Sequence, residues 1–182
     1  HAKGQLTGVM FEKVKAELAV EGQPYNRQML VGAMIETPSA VILARRLAPH
    51  IDFFSVGTND LVQYLLTSDR TSSEMAPYYE PLHPAVLQAL SSLAAAARES
   101  GKSISICGEM AGNAVYTALL LGLGFRSFSV GSGELLEVKN VIRSTYIDRA
   151  EALAAKILAL STVREIKACL NEARMMHGSV QP

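Results

Sequence analysis

The stretch that decides the fold is Val56-Gly57-Thr58-Asn59-Asp60-Leu61, where an apolar run gives way to a polar turn. Residues 51–56 (Ile-Asp-Phe-Phe-Ser-Val) are rich in β-forming side chains, as expected of a strand that is covered on both faces. Asn59 and Asp60 then lie where a parallel strand meets its helix, which is the edge of an α/β sheet where ligands usually bind. The alternative is that Asn59 and Asp60 only cap the helix predicted over residues 61–66.

The same alternation of strand and helix runs through most of the chain. Alternating strands and helices predict a parallel sheet, so the expected class is α/β. Four such units fit either a small open sheet or half of an eight-fold barrel. The other predicted strands cover residues 30–35, 103–106 and 125–130, and the predicted helices cover residues 1–22, 38–47, 85–100, 113–121, 134–143, 148–160 and 162–175.

Local signals predict how several connections are made. Residues 67–82 form a long loop-like segment, and loops of that length in a compact domain are often functional. His83 precedes a proline and is interpreted as a helix-start residue rather than a ligand. Thr162 and Glu165 have the spacing of a capping box, which predicts the start of the last helix.

Length, composition and charge limit the classes of protein to which the chain could belong. The chain has 182 residues, 49% of them hydrophobic, and its seventeen basic and seventeen acidic side chains cancel. This size predicts one domain, and the charge balance gives no general attraction to nucleic acid or to an anionic membrane surface. No apolar run approaches the roughly 20 residues of a membrane span, and no signal segment opens the chain. A cytoplasmic, soluble protein is expected. His1 without an initiator methionine suggests a piece of something longer or, alternatively, the remnant of a tag.

Polar residues follow three of the predicted strands: Glu36, Asn59 with Asp60, and Cys107. Because parallel strands end at one edge of the sheet, these side chains should come within reach of one ligand. Two carboxylates are hard oxygen ligands, as Mg²⁺ prefers when it keeps waters and binds substrate oxygens. Arg70, at the start of the long loop, offers a guanidinium fork for phosphate or carboxylate.

Each of these residues also has a structural explanation. Glu36 could serve the start of the helix that follows it, and Arg70 could simply be solvated. Cys107 could be a small buried hydrophobe, as we expect for Cys169 in the last helix. The two cysteines are far apart, so they indicate neither a disulfide framework nor a structural zinc site.

Five motifs, taken in order, resemble the phosphoenolpyruvate-binding domain of Enzyme I of the bacterial sugar phosphotransferase system. Pyruvate phosphate dikinase and phosphoenolpyruvate synthase share the same site, but the Phe-Phe-Ser-Val-Gly-Thr-Asn-Asp form favours Enzyme I. The resemblance runs from the first helix to about Arg143. The motifs are residues 31–40 (Val-Gly-Ala-Met-Ile-Glu-Thr-Pro-Ser-Ala), 52–64 (Asp-Phe-Phe-Ser-Val-Gly-Thr-Asn-Asp-Leu-Val-Gln-Tyr), 69–70 (Asp-Arg), 81–87 (Pro-Leu-His-Pro-Ala-Val-Leu) and 107–112 (Cys-Gly-Glu-Met-Ala-Gly).

The resemblance implies a role for each candidate residue. Glu36 and Asp60 are implied to be the Mg²⁺ ligands. Asn59 and Arg70, with backbone amides near Asp60, are implied to contact the phosphate. Cys107 is implied to be the general acid that protonates the enolate carbon as pyruvate forms.

The resemblance also implies an architecture and partners. Residues 1–182 would be a single domain, the C-terminal half of a TIM-type (β/α)8 barrel whose other half carries further arginines. The phosphorylated histidine would lie on a separate, swivelling domain, which serves a histidine-containing phosphocarrier protein, and the family dimerises through the barrel domain. One departure is residues 131–136 (Gly-Ser-Gly-Glu-Leu-Leu), where Enzyme I usually has a Ser-Ile-Pro turn.

The function implied is that of a phosphoenolpyruvate–protein phosphotransferase, which transfers phosphate from phosphoenolpyruvate to a protein histidine with Mg²⁺ and releases pyruvate. The fragment alone is expected to be inactive. Alternatives are a domain of the phosphoenolpyruvate synthase or pyruvate phosphate dikinase type, and a non-catalytic regulatory module that binds phosphoenolpyruvate. A Mg²⁺-dependent lyase of the related pyruvate-handling barrels is disfavoured by the sequence around Cys107.

Overall fold

The computed structural model describes residues 2–69 and 71–178, and it describes side chains for residues 10–69 and 71–175. The chain divides into two compact units, one ending at Val31 and the other beginning at Gly32. The first unit holds helix α1, Ala2–Val20. Among residues 2–69 and 71–178, no helix combines the length and the apolar character needed to cross a membrane.

The second unit is built on a parallel sheet. Within the described residues the sheet has four strands, in the order β1 (Gly32–Ile35), β2 (Phe53–Gly57), β3 (Ser103–Cys107) and β4 (Ser127–Phe128). Each neighbouring pair is parallel, with Ile35 opposite Val56 and Gly57 opposite Cys107. The predicted α/β class is confirmed, and the topology is consistent with the C-terminal half of a (β/α)8 barrel.

Helices separate the strands, and two of them begin as the sequence predicts. The side chain of His83 caps α5, because its Nδ1 accepts a hydrogen bond from the Ala85 N–H at 3.2 Å. Thr162 and Glu165 form the predicted capping box, in which Thr162 Oγ1 accepts from the Glu165 N–H at 3.3 Å. The helices are α2 (Pro38–Ile42), α3 (Ala44–Leu47), α4 (Thr58–Leu66), α5 (Pro84–Glu99), α6 (Glu109–Gly112), α7 (Ala114–Leu123), α8 (Leu135–Ser144), α9 (Ile147–Leu158) and α10 (Val163–Gly178), with 3₁₀ turns at Ala48–His50 and Ala76–Tyr78.

The fourth strand is shorter than predicted. Gly124 ends α7 in the left-handed conformation, and the Phe125 N–H returns to the Leu120 carbonyl at 3.1 Å. Phe125 is fully buried, but its backbone therefore completes the end of α7 instead of pairing with β3. Ser127 and Phe128 pair with β3, and the Ser129 N–H just beyond them donates to the Ile106 carbonyl at 2.8 Å.

The side chains on the two faces of the sheet are buried to different extents. Phe54, Val56 and Ile106 point to one face and are fully buried in a core that includes residues of α4, α5 and α7. Met34 points to the other face, where half of its surface is exposed. A Cβ added to Gly57 would stand 3.2 Å from both Met34 Sδ and Glu36 Oε2, so Glu36 shares that second face at the carboxyl end of the strands.

Candidate active site

The ends of β2 and β3 are joined by a side-chain hydrogen bond. Gly57 lies opposite Cys107 in the strand register, and Thr58 is the next residue, at the start of α4. Thr58 is fully buried, and its Oγ1 donates to the Cys107 carbonyl at 2.7 Å. The two motifs that sequence analysis singled out are therefore held together although they lie 49 residues apart.

Gly108 lets these two segments approach closely. Its φ of +91° lies in the left-handed region, and an added Cβ would stand 2.5 Å from Thr58 Oγ1 and 2.8 Å from Asn59 Oδ1. Both the backbone conformation and the space therefore require glycine. The next residue donates its backbone N–H to Asn59, with a distance of 2.9 Å from Glu109 N to Asn59 Oδ1. Because Oδ1 is engaged there, the amide nitrogen of Asn59 is the donor that can meet a ligand.

Asn59 and Asp60 lie in the first turn of α4, not in a turn that precedes the helix as predicted. Helix α4 begins at Thr58, and the residue before it, Gly57, makes no side-chain cap. The backbone N–H groups of this first turn therefore have no partner within the helix, which is the arrangement that favours an anion.

The Cys107 side chain faces a cavity and not the core. It is half-buried, and its Sγ donates to the Val56 carbonyl at 3.3 Å. It lines a cavity of about 850 Å³, together with Asn59, Gly108 and Glu109. The thiol thus has access to whatever occupies the cavity, which a small hydrophobe sealed in the core would not have.

Glu36 does not cap the helix that follows it. Thr37 takes that role, since its Oγ1 accepts from the Ala40 N–H at 3.3 Å. Asp60 is exposed. Between residues that the structure describes, neither of these two carboxylates makes a hydrogen bond or an ion pair, and both lie at the carboxyl edge of the sheet.

The donor set fits one kind of cation. In the described part of the chain, no three His, Cys, Asp or Glu side chains are grouped so as to hold a metal ion. A cage made only of protein ligands is therefore not formed by those residues. Two carboxylates from neighbouring strand ends fit Mg²⁺, which usually binds one or two carboxylates and takes waters and substrate oxygens for the rest.

Arg70 lies outside the described residues. On its N-terminal side, Thr67 ends α4 in the left-handed conformation, with φ +50°. On its C-terminal side, the backbone N–H of Thr71 donates to Asp69 Oδ1 at 2.8 Å, and the Thr71 hydroxyl donates to the same atom at 2.7 Å. The assignment of Arg70 to the site remains a prediction.

The cavity wall includes residues that sequence analysis did not select. Glu134 lies over Gly131, because a Cβ on Gly131 would stand 2.5 Å from Glu134 Oε2. Gly131 is a sequence signal for this close approach, whereas a Cβ on Gly133 would meet nothing within 4 Å. Arg174, on α10, lines the same cavity, and no sequence pattern connects it with Asn59 or Cys107.

Comparison with known proteins identifies relatives. Residues 5–147 match the family described as PEP-utilising enzyme, PEP-binding domain. The chain is 41% identical to the phosphoenolpyruvate-protein phosphotransferase of Cupriavidus necator over 166 residues, which cover 91% of the chain and 28% of that protein. The corresponding protein of Haemophilus influenzae is 40% identical over 90% of the chain and 28% of its own length. That of Bacillus subtilis is 37% identical, covering 87% and 28%. The chain thus spans little more than a quarter of these relatives.

Proposed function

Because the chain belongs to the family of PEP-binding domains of PEP-utilising enzymes, we propose that it is part of a phosphoenolpyruvate–protein phosphotransferase. The observation that supports this most directly is the junction of β2 and β3. It brings a helix start without a side-chain cap, an oriented amide and a thiol to one cavity. A phosphate, the rest of a small substrate and a proton donor can meet there.

In this proposal the carboxyl edge binds phosphoenolpyruvate through its phosphate. The N–H groups at the start of α4 and the amide nitrogen of Asn59 donate to phosphate oxygens, and Arg70 supplies a further positive charge. Glu36 and Asp60 would hold Mg²⁺, which neutralises negative charge on the phosphoryl oxygens. Phosphoryl transfer depends mainly on such positioning and charge compensation.

Cys107 is the proposed general acid. When the phosphoryl group leaves, the remaining enolate of pyruvate must take a proton on carbon. The Cys107 thiol donates to the Val56 carbonyl at 3.3 Å, and rotation about its Cα–Cβ bond would turn the same proton toward the cavity. The bond broken is S–H, the bond formed is C–H, and the resulting thiolate regains its proton from solvent.

The remaining parts of the proposal concern the whole protein. The phosphoryl acceptor is a histidine on another domain, which passes the group to a histidine-containing phosphocarrier protein in sugar transport. We propose a homodimer in the cytoplasm, in line with the resemblance described above. We also propose that residues 1–182 form one part of a single barrel domain.

Calorimetric titration of the chain with phosphoenolpyruvate, with and without Mg²⁺, tests the site. We expect binding that requires Mg²⁺ and disappears in Asp60→Ala. Asp148→Ala is a matched control, because Asp148 is also an exposed aspartate in the first turn of a helix, α9. Magnesium-independent binding, or equal binding by both variants, would contradict the proposed metal and substrate site.

A further inference from the structure

A second cavity lies at the opposite, amino edge of the sheet. Its volume is about 620 Å³, within the range typical of small-molecule sites. Strands β3 and β4 begin there with the exposed Ser103 and Ser127, and helices α5 and α7 end there. Small residues, including Ala94 and Ala97 of α5, leave the space open.

The charges around this cavity are unbalanced. Arg98, Lys102 and Arg126 line it, whereas Glu151 is the single carboxylate among the described lining residues. Arg126 Nη2 lies 3.6 Å from Glu151 Oε1, so that carboxylate is shared with one of the three cations. Between described residues, neither Arg98 nor Lys102 makes an ion pair with a carboxylate.

The three basic residues could be explained by the carboxyl ends of α5 and α7, because helix carboxyl ends favour nearby cations. Carbonyl groups at both of these ends, however, already accept hydrogen bonds from other groups. The Lys102 N–H donates to the Ala97 carbonyl at 2.9 Å, which closes the end of α5. Arg126 Nη1 donates to the Leu121 carbonyl at 2.6 Å, at the end of α7. The backbone and Arg126 thus perform the capping. Lys102 makes no ion pair with a described residue, and Arg98 forms none either, although its charge helps to lower the pKa of the neighbouring Glu99.

We propose that this basic cavity binds a small phosphate-bearing anion. The cationic side chains of Arg98 and Lys102, neither of which is held in an ion pair between described residues, can donate to a phosphate, and the hydroxyl groups of Ser103 and Ser127 add neutral donors. The half-buried position of Lys102 reduces solvent screening of its charge compared with that of a fully exposed lysine. This site is independent of the proposed function, since it shares no residue with the cavity at the carboxyl edge.

Titration of the chain with inorganic phosphate, followed by amide chemical shifts, tests the proposal. We expect saturable shifts at Ser103, Ser127 and the glycines Gly122 and Gly124, which line the cavity. Mg²⁺ is omitted, and sodium chloride holds ionic strength constant. The variant Arg98→Ala/Lys102→Ala should weaken phosphate binding by roughly tenfold or more, because it removes two charge-assisted interactions.

The matched control removes the same number of positive charges from a part of the surface outside the cavity. Lys139 and Arg143 are exposed on α8 and do not line the cavity, so Lys139→Ala/Arg143→Ala should change the affinity less than about twofold. Lys102→Gln tests the site without a large loss of side-chain volume, and it should also weaken binding. Shifts that do not saturate, that lie at other residues, or that persist in the Arg98→Ala/Lys102→Ala variant would overturn the proposal.

Discussion

The two edges of the sheet are built from the same strands but use their hydrogen bonds differently. At the carboxyl edge, side chains of one strand–helix unit form hydrogen bonds with the backbone of the next, as Thr58 does with Cys107 and Asn59 with Glu109. At the amino edge, bonds such as that from Arg126 to the Leu121 carbonyl complete the end of a nearby helix. Side chain–backbone bonds therefore join neighbouring strand–helix units at the carboxyl edge, whereas at the amino edge neighbouring units are linked by the exposed Arg45–Glu99 ion pair.

Replacing Cys107 should have the largest effect, because it removes a reacting group and not only a contact. In a full-length phosphotransferase that contains this chain, Cys107→Ala should lower the rate of pyruvate release by about 10²–10⁴-fold, the usual contribution of a general acid. Phosphoenolpyruvate affinity should change little. The control is Cys169→Ala, at the buried cysteine of α10, which should retain the turnover rate. Unimpaired turnover in Cys107→Ala would end the assignment of this thiol.

A pair of glycine variants compares the two edges directly. Gly108→Ala should destabilise the chain by about 3 kcal/mol, since it combines a left-handed backbone with collisions against Thr58 and Asn59. Gly101, after α5, also has a positive φ, +65°, but an added Cβ would meet nothing within 4 Å. Gly101→Ala should therefore cost only about 1–2 kcal/mol. Urea unfolding measures both, and equal losses would mean that the close approach at Gly108 is unimportant.

A pair of hydroxyl variants makes the same comparison through hydrogen bonds. Thr58→Val keeps the shape of a fully buried side chain but leaves the Cys107 carbonyl without this donor, at a cost of about 1–3 kcal/mol. Ser100 Oγ donates to the Ala96 carbonyl at 2.7 Å, at the exposed end of α5. Water can replace that bond, so Ser100→Ala should change stability by about 0.5 kcal/mol or less. Thermal unfolding decides whether the ranking holds.

The smallest effect concerns an ion pair on the helices near the amino edge. A hydrogen bond from Arg45, which also supplies a favourable charge, lowers the pKa of Glu99 from its usual 4.5. This stabilisation is complete above pH 4.5 and is lost as the pH falls through the lowered pKa of the folded state. Arg45→Gln should therefore slightly flatten the fall in stability on acidification. Both side chains are more than half exposed, so 1 M salt should have a similar effect.

Features that depend on residues close together in the sequence were predicted better than features that depend on contacts between distant segments. Residues 51–61 indicated a strand followed by a helix because these patterns are local. His83 and Thr162 were likewise identified from their immediate neighbours. The expected cover on both faces of the strand was not found, since only alternate residues of β2 are fully buried. The short β4 was not predicted, because Phe125 is apolar like a strand residue while its N–H binds the end of α7.

Site details depended on contacts that no local pattern encodes. Its place after a predicted strand selected Asn59, but the bond from the Glu109 N–H that orients its amide joins residues 50 apart. The same applies to position 108. Glycine is required there because Thr58 and Asn59 lie so close, as well as because the backbone φ is positive. Arg174 reaches the cavity only because α10 returns to the carboxyl edge.

The bond between the Glu109 N–H and Asn59 has a consequence for how the protein assembles. Neither segment can protect that hydrogen until β2 and β3 have paired, since the acceptor and the donor belong to different strand–helix units. Its exchange with deuterated solvent should therefore follow the opening of that strand pair, and not the fraying of the single-turn α6. One backbone amide thus reports, on a timescale of minutes to hours, how often the candidate catalytic edge comes apart.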